Sequence, residues 1–143
     1  PATDSRDQLL LPDIRRGIEG TLFARAAERA NPAQRQRFVE LAAAMDEVAR
    51  SNDIRAHYVV DKEFDDLIDL CGGNRFVTDM LRPVHSLVRR FWHSLTGTPD
   101  SQVVLNLHVA VAKAVASGEP KRVFAASETL FDFNEQVIRR LLG

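Results

Sequence analysis

The chain has 143 residues, of which 45% are hydrophobic and 27% charged, and its formal net charge is -1. This composition fits one globular domain with a buried core, and the near-zero charge argues against a large surface for nucleic-acid phosphates. The single cysteine, Cys71, excludes an internal disulfide and a CxxC zinc site, and no apolar segment is long enough to span a membrane. We therefore expect a cytoplasmic protein without a membrane partner.

The N-terminal part of the chain divides into a lead and a first helix. Residues 1–12 have the composition of a linker or disordered segment, and apolar residues at helical spacing predict a helix over about 13–30, with Asp13 as its cap. Arg15 projects onto the apolar face of this helix. It can extend to the rim of the face or pair with an acid such as Glu19, one turn further on.

Cap, glycine and proline residues divide the rest of the chain into five further helices. Gly72 and Gly73 are predicted to end the third helix as C-terminal glycine caps, and Asn74 to cap the fourth. No segment alternates with period two, so the sequence predicts an all-α antiparallel bundle of about six helices. The further helices are predicted at about 32–51, from 54 to the two glycines, at about 74–95, between the breaks at 96–100 and 117–120, and at about 120–142.

Two carboxylates of the third helix lie on its apolar side. Asp61 and Asp65 are one turn apart and fall beside an apolar stripe, whereas the other charged residues of the helix fall on the opposite side. A core-facing pair of carboxylates is costly unless it is protonated, paired or bound to a cation. We therefore interpret this pair as the main indication of a functional site.

Other helices also place polar side chains towards the core. His85 and Arg89 lie at the margin of the apolar side of the fourth helix, His108 lies within the stripe of the fifth, and Ser127 and Asn134 interrupt the stripe of the sixth. Inward polar groups from several helices are how bundles build ligand sites. The candidate ligand-binding residues are Arg15, Asp61, Asp65, His85, Arg89, His108, Ser127 and Asn134. The sequence contains no GxSxG, HExxH, Walker or Rossmann motif, and we expect a protein without enzymatic activity.

Three segments resemble, in order and spacing, the FCD domain of FadR-subfamily GntR transcription regulators: DIRRGIE, DKEFDDLIDLCGGN and LHVAVAKAVASGEPKRVFAA. The family's opening pattern is met by Ile14, Arg15, Ile18 and Glu19, its second pattern by Asp61, Phe64, Gly73 and Asn74, and its third by His108, Val111, Ala114, Val115 and Gly118. Glu119 stands where the family has an aspartate.

This resemblance implies that residues 13–143 form a helical effector-binding and dimerisation domain. An N-terminal winged helix-turn-helix is expected upstream of the chain, so that contact with DNA occurs only through that separate domain. The implied partners are a small-molecule effector and a second copy of the protein in a homodimer.

The resemblance also implies a divalent metal, which many members bind through an aspartate and three histidines. Asp61 and His108 match that pattern, but Asp65 stands at the first histidine position and Leu130 at the last. The remaining ligands would be Asp61, Asp65 and His108, joined by Asn134 or water. Because a leucine cannot bind metal, such a site should hold its ion loosely. We expect purified protein to contain well under one transition-metal ion per chain, and no other cofactor.

Three functions remain open at the level of sequence. The first is a regulator domain with a metal-free pocket for a small effector, either an organic acid or a cationic or polyhydroxylated ligand. The second is a small helical metal-binding protein or metalloenzyme using Asp61, Asp65 and His108. The third is a structural interaction module in which the two aspartates pair with Arg15 or Arg89. The regulator domain is the favoured hypothesis, with an organic acid as its effector because the family's effectors are mostly small carboxylates.

Overall fold

The computed structural model describes residues 9–143. Over this range the chain is helical without any strand, which confirms the predicted all-α fold. No helix in this range is both long and apolar enough to cross a membrane. The helices are α1 (Leu11–Arg29), α2 (Pro32–Arg50), α3 (Ile54–Gly72), α4 (Arg75–Ser94), α5 (Pro99–Ser117) and α6 (Pro120–Leu142).

Local capping accounts for most of the helix starts. Asn31 accepts a hydrogen bond from the backbone N–H of Gln34 at 2.8 Å, and the Gln34 side chain accepts one from the Asn31 backbone at 2.9 Å. The Asp53 and Asn74 side chains likewise accept backbone N–H bonds in the first turns of α3 and α4. These bonds satisfy donors that have no partner inside the helix, and the predicted starts of these three helices lie within one residue of those observed.

The prediction that Asp13 caps the first helix is wrong. α1 begins at Leu11, its N-cap residue Leu10 makes no side-chain capping bond, and Pro12 lies in the first turn. A proline is tolerated there because the first turn needs no backbone donor. Asp13 instead lies inside the first turn, where a carboxylate interacts favourably with the helix dipole. Residues 1–8 of the predicted lead lie outside the described residues.

Gly72 and Gly73 do not form the predicted glycine cap, and the glycine at position 72 has a different role. The backbone of Gly73 is extended, with φ of -80°, and Gly72 belongs to the helix. A Cβ atom on Gly72 would lie 2.6 Å from the backbone nitrogen of Ala26 in α1. Glycine is therefore required at position 72 because the two helix backbones approach closely, and not because the chain adopts a left-handed conformation.

The packing of the helices leaves room for a site beside the core. α1 packs mainly on α6 and α3, α2 packs on α5 and α3, and α5 also packs on α6. Phe38, Leu105 and Phe131 are almost completely buried in the resulting core. α4 packs only loosely on the other helices, most closely on α3, although it contributes the buried Trp92. Polar side chains of α1, α3, α4 and α5 surround a cavity at this loosely packed side.

Candidate functional site

Two neighbouring spaces, which share several lining residues, lie among α1, α3, α4 and α5. The inner cavity has a volume of about 50 Å³, which is room for a few water molecules. The outer cleft, between α1, α3 and α4, has a volume of about 500 Å³, within the range of small-molecule sites. The polar residues of the inner cavity are Arg15, Glu19, His57, Tyr58, Asp61, Asp65, His85, Arg89 and His108. Glu19, Tyr58, Asp65, His85 and Arg89 also line the outer cleft.

A buried ionic cluster joins α1 to α4. The Arg15 guanidinium pairs with the Glu19 carboxylate one turn along α1, and Nε2 of His85 lies 2.7 Å from Oε1 of Glu19. Arg15 and Glu19 are 5% and 2% exposed. Burial alone would raise the pKa of Glu19, but the adjacent Arg15 and the His85 contact outweigh it and lower that pKa to about 2. Glu19 therefore remains a carboxylate and neutralises the charge of Arg15.

The Arg15 side chain is held on a second side by an aromatic ring. Its guanidinium carbon lies 4.9 Å from the centre of the Phe131 ring of α6. A cation over a ring face is attracted by the ring quadrupole. Arg15 thus follows one of the two alternatives considered from the sequence, pairing with Glu19 inside the bundle rather than extending to the rim.

Asp65 differs electrostatically from Asp61. Burial raises the pKa of the Asp65 carboxyl well above its usual range, and the negative charges of Asp61 and Glu19 raise it further. Among the described residues no Lys, Arg or His lies within ion-pairing distance of Asp65. A raised pKa favours the protonated carboxyl group, which can donate a hydrogen bond to a ligand.

A second cluster lies at the inner end of the cavity, where α3 faces α5. His57 and Asp61 are one turn apart on α3, and Nδ1 of His108 lies 3.9 Å from Oδ1 of Asp61. The ring centres of His57 and His108 are 5.3 Å apart. Burial lowers the pKa of His108 to about 4 although Asp61 opposes this shift, and burial also lowers the pKa of His57. Both imidazoles are therefore neutral at neutral pH and can accept a hydrogen bond or bind a metal.

His57 was not among the residues singled out from the sequence. It lies four residues before Asp61 on the same face of α3, and this spacing is a signal that could have identified it. Its side chain is 2% exposed, and its Nδ1 atom has no hydrogen-bond partner. Glu19, which the sequence indicated as a partner of Arg15 and as part of the family's opening pattern but not as a site residue, also lines the cavity.

Arg89 and Tyr58 lie where the inner cavity meets the outer cleft. The Tyr58 hydroxyl donates a hydrogen bond to the backbone carbonyl of Arg89 at 3.1 Å, and burial, followed by the charge of Asp61, raises the pKa of Tyr58 to about 12. The Arg89 side chain is exposed. Within residues 9–143 no carboxylate lies within 4.0 Å of its guanidinium, so its charge is available to a ligand.

The candidate residues of α6 lie apart from this cavity. Ser127 and Asn134 are buried, and Ser127 Oγ and Asn134 Oδ1 have no hydrogen-bond partner. Neither residue lines the inner cavity or the outer cleft. Asn134 instead borders a separate void of about 10 Å³, which Arg15 also lines. The structure thus brings six of the eight candidates together and separates the two on α6.

The residues of the cavity fit the metal set implied by the family resemblance only in part. Leu130 is 1% exposed and belongs to the hydrophobic core. In the described part of the chain, the donor atoms that lie close enough together to share an ion belong to His57, Asp61 and His108, without Asp65. The two matching positions, Asp61 and His108, therefore lie together, but the third donor comes from a position outside the family pattern.

A family model described as FCD domain matches residues 11–133, from the first residue of α1 to the middle of α6. A search of curated proteins found no match to this chain. The matched range includes every residue that lines the inner cavity and the outer cleft.

Proposed function

Because this chain belongs to the FCD domain family, we propose that it is the effector-binding and dimerisation domain of a bacterial GntR-type transcription regulator. FCD domains are generally the effector-binding domains of such regulators, which are usually not enzymes. The regulator would act in the cytoplasm and would bind DNA through a separate winged helix-turn-helix domain. The observation that carries the proposal is the pair of neighbouring spaces among α1, α3, α4 and α5, which together are lined by ionisable side chains from all four helices.

We infer that the effector is a small carboxylic acid, and the support comes from one arginine of the outer cleft, since Asp66 and Asp69 also line that cleft. Arg15 is neutralised by Glu19, which leaves Arg89 as the cation whose charge faces the outer cleft without a carboxylate partner among the described residues. Arginine presents a planar fork of donors that fits a carboxylate. Asp65 supports the same class of ligand, because its raised pKa favours the protonated form, which donates a hydrogen bond instead of repelling an anion.

The sizes of the two spaces indicate how such a ligand would bind. The outer cleft is large enough for a small acid, whereas the inner cavity, at about 50 Å³, holds only water or one small group of the ligand. The effector would therefore occupy the outer cleft, with its carboxylate on Arg89 and a polar group directed past Tyr58 and Asp65.

Binding in this cleft would connect α4 to α1 and α3. The contact of α4 with α3 is sparse, so α4 is the element whose position a ligand can alter most easily. A ligand shifts a conformational equilibrium only by binding one conformation better than the other. We propose that the effector favours one position of α4, and that this position changes the DNA affinity of the complete regulator.

A thermal-shift screen of organic acids, sugars and amines tests the class of effector. A ligand at 100 times its dissociation constant should stabilise the fold by about 2.7 kcal/mol. We expect stabilisation by an organic acid that is lost in Arg89→Ala and kept in Arg90→Ala, a matched control because Arg90 is the exposed neighbour on α4. Stabilisation by amines or polyols alone, unchanged in Arg89→Ala, would contradict the proposed ligand class.

The genomic sequence upstream of Pro1 tests the regulator itself. We expect it to encode a winged helix-turn-helix in the same reading frame. An upstream domain of another kind would favour a metal-binding protein or a structural interaction module instead.

A further inference from the structure

His57 has no role in the effector site proposed above. It is 2% exposed, and its Nδ1 atom makes no hydrogen bond within the described structure. A buried polar atom without a partner is energetically costly, so a histidine in such a position needs an explanation. His57 lies in the first turn of α3, one turn before Asp61.

The surroundings of His57 provide a chemical reason. One donor atom each from His57, Asp61 and His108 can be chosen so that all three lie within 4.8 Å of one another. Donors bound to one zinc ion at about 2.1 Å lie about 3.4 Å apart in a tetrahedron, so these side chains would have to close by roughly 1 Å. Rotation about the side-chain bonds of two histidines can supply a movement of this size.

We propose that His57, Asp61 and His108 bind a divalent transition-metal ion, with His57 supplying an imidazole from a position where the family pattern has no ligand. Two imidazoles and one carboxylate are a donor set suited to Zn²⁺, Co²⁺ or Ni²⁺ rather than to Mg²⁺ or Ca²⁺. The set differs from the one implied by the family resemblance, in which positions 65 and 130 would contribute. Here Asp65 lies outside the cluster and Leu130 lies in the core.

The proposed site leaves at least one coordination position open towards the inner cavity. His57, Asp61 and His108 all line that cavity, which has room for a few water molecules. Water would complete the coordination of the ion. A site with three protein ligands should bind more weakly than a closed four-ligand site, so we expect the ion to be lost during purification and regained on addition.

Titration of the chelator-treated protein with Co²⁺ and Zn²⁺ tests the site. We expect one equivalent of Zn²⁺ to bind by calorimetry, and Co²⁺ to give visible absorption bands with the same stoichiometry. His57→Ala should weaken binding at least tenfold. His93→Ala, which removes an exposed histidine of α4, should leave it unchanged.

A second pair of measurements separates this site from the family arrangement. Asp65→Asn should change the affinity less than threefold, because Asp65 is not a ligand in the proposed site. In NMR spectra of the unaltered protein, Zn²⁺ should shift the ring nitrogen resonances of His57 and His108 but not those of His93. This measurement does not depend on any variant that might fail to fold. Three results would each overturn the proposal: no binding, equal binding in His57→Ala and His93→Ala, or a loss in Asp65→Asn as large as in His57→Ala.

Discussion

Glu19 is the residue whose ionisation matters most to the fold. It holds Arg15 of its own helix and His85 of α4, so one carboxylate compensates a buried cation and connects two elements. Burying an ion pair is itself costly, but removing one partner leaves the other charge buried and uncompensated. The cluster therefore makes the bundle sensitive both to substitution at Glu19 and to acid.

Substitution of Glu19 should be strongly destabilising. We expect Glu19→Gln to lower the free energy of unfolding by about 3–5 kcal/mol at pH 7, because it leaves Arg15 buried beside a neutral amide. Urea denaturation followed by circular dichroism measures this. Glu28→Gln, at an exposed position of the same helix, should change the value by less than about 0.5 kcal/mol. Equal effects of the two substitutions would show that the buried cluster contributes little.

The same carboxylate should give the fold a defined acid sensitivity. The pKa of Glu19 is lowered from 4.5 to about 2, so its stabilising contribution is complete above pH 4.5 and is lost as the pH falls towards about 2. We expect the unfolding free energy of the unaltered protein to fall more steeply over this interval than that of Glu19→Gln. Urea denaturation at several pH values would show it, and parallel curves for the two proteins would contradict the assignment.

At the scale of helices, the crossing of α1 and α3 depends on the absence of one side chain. A Cβ atom at position 72 would meet the backbone of Ala26 and Arg25, and backbone atoms cannot move aside as a flexible side chain can. The close approach helps to bring Arg15 and Glu19 of α1 to the same cavity as Asp61 of α3. Gly72 is therefore a packing residue that also positions the candidate site.

Gly72→Ala should destabilise the bundle by about 1–3 kcal/mol, as is typical when atoms are inserted into a packed interface, although alanine favours a helix more than glycine does. Gly17→Ala is the matched control. Gly17 lies in α1, and an added Cβ would have no atom within 4 Å. This control should stabilise the protein by about 0.5–1 kcal/mol. The midpoints of urea denaturation, with an unchanged denaturant slope, would measure the change in unfolding free energy for both variants. If Gly72→Ala left that free energy unchanged, the two helices could separate without cost.

At the scale of the whole molecule, the proposed regulator function requires association of two copies. Large apolar side chains remain on the surface of the single chain, including Phe76, which is 86% exposed, and Met80 one turn further along α4. Burial of such side chains is a general source of association energy. We expect a homodimer, observed by light scattering as a mass twice that of the chain. A monomer at tens of micromolar would contradict the dimerisation part of the proposal.

The sequence by itself determined the helices, because caps and apolar periodicity act over a few residues. Asn31, Asp53 and Asn74 could be identified as helix starts without knowledge of any neighbour, and the inward side of Asp61 followed from helical spacing alone. The alternative that Arg15 pairs with Glu19 was also available, since the two residues are one turn apart on a single helix.

Only the tertiary structure decided which inward side chains meet. Helical periodicity shows that Ser127 and Asn134 point into the bundle, but not that they lie apart from the cavity that His108 lines. The contact of Glu19 with His85, across 66 residues, and that of His57 with His108 depend on how α1, α3, α4 and α5 pack. Periodicity assigns a side chain to one face of its own helix, whereas its neighbours are fixed by helix crossings. Those crossings depend on close contacts such as the one at Gly72, which no local pattern encodes.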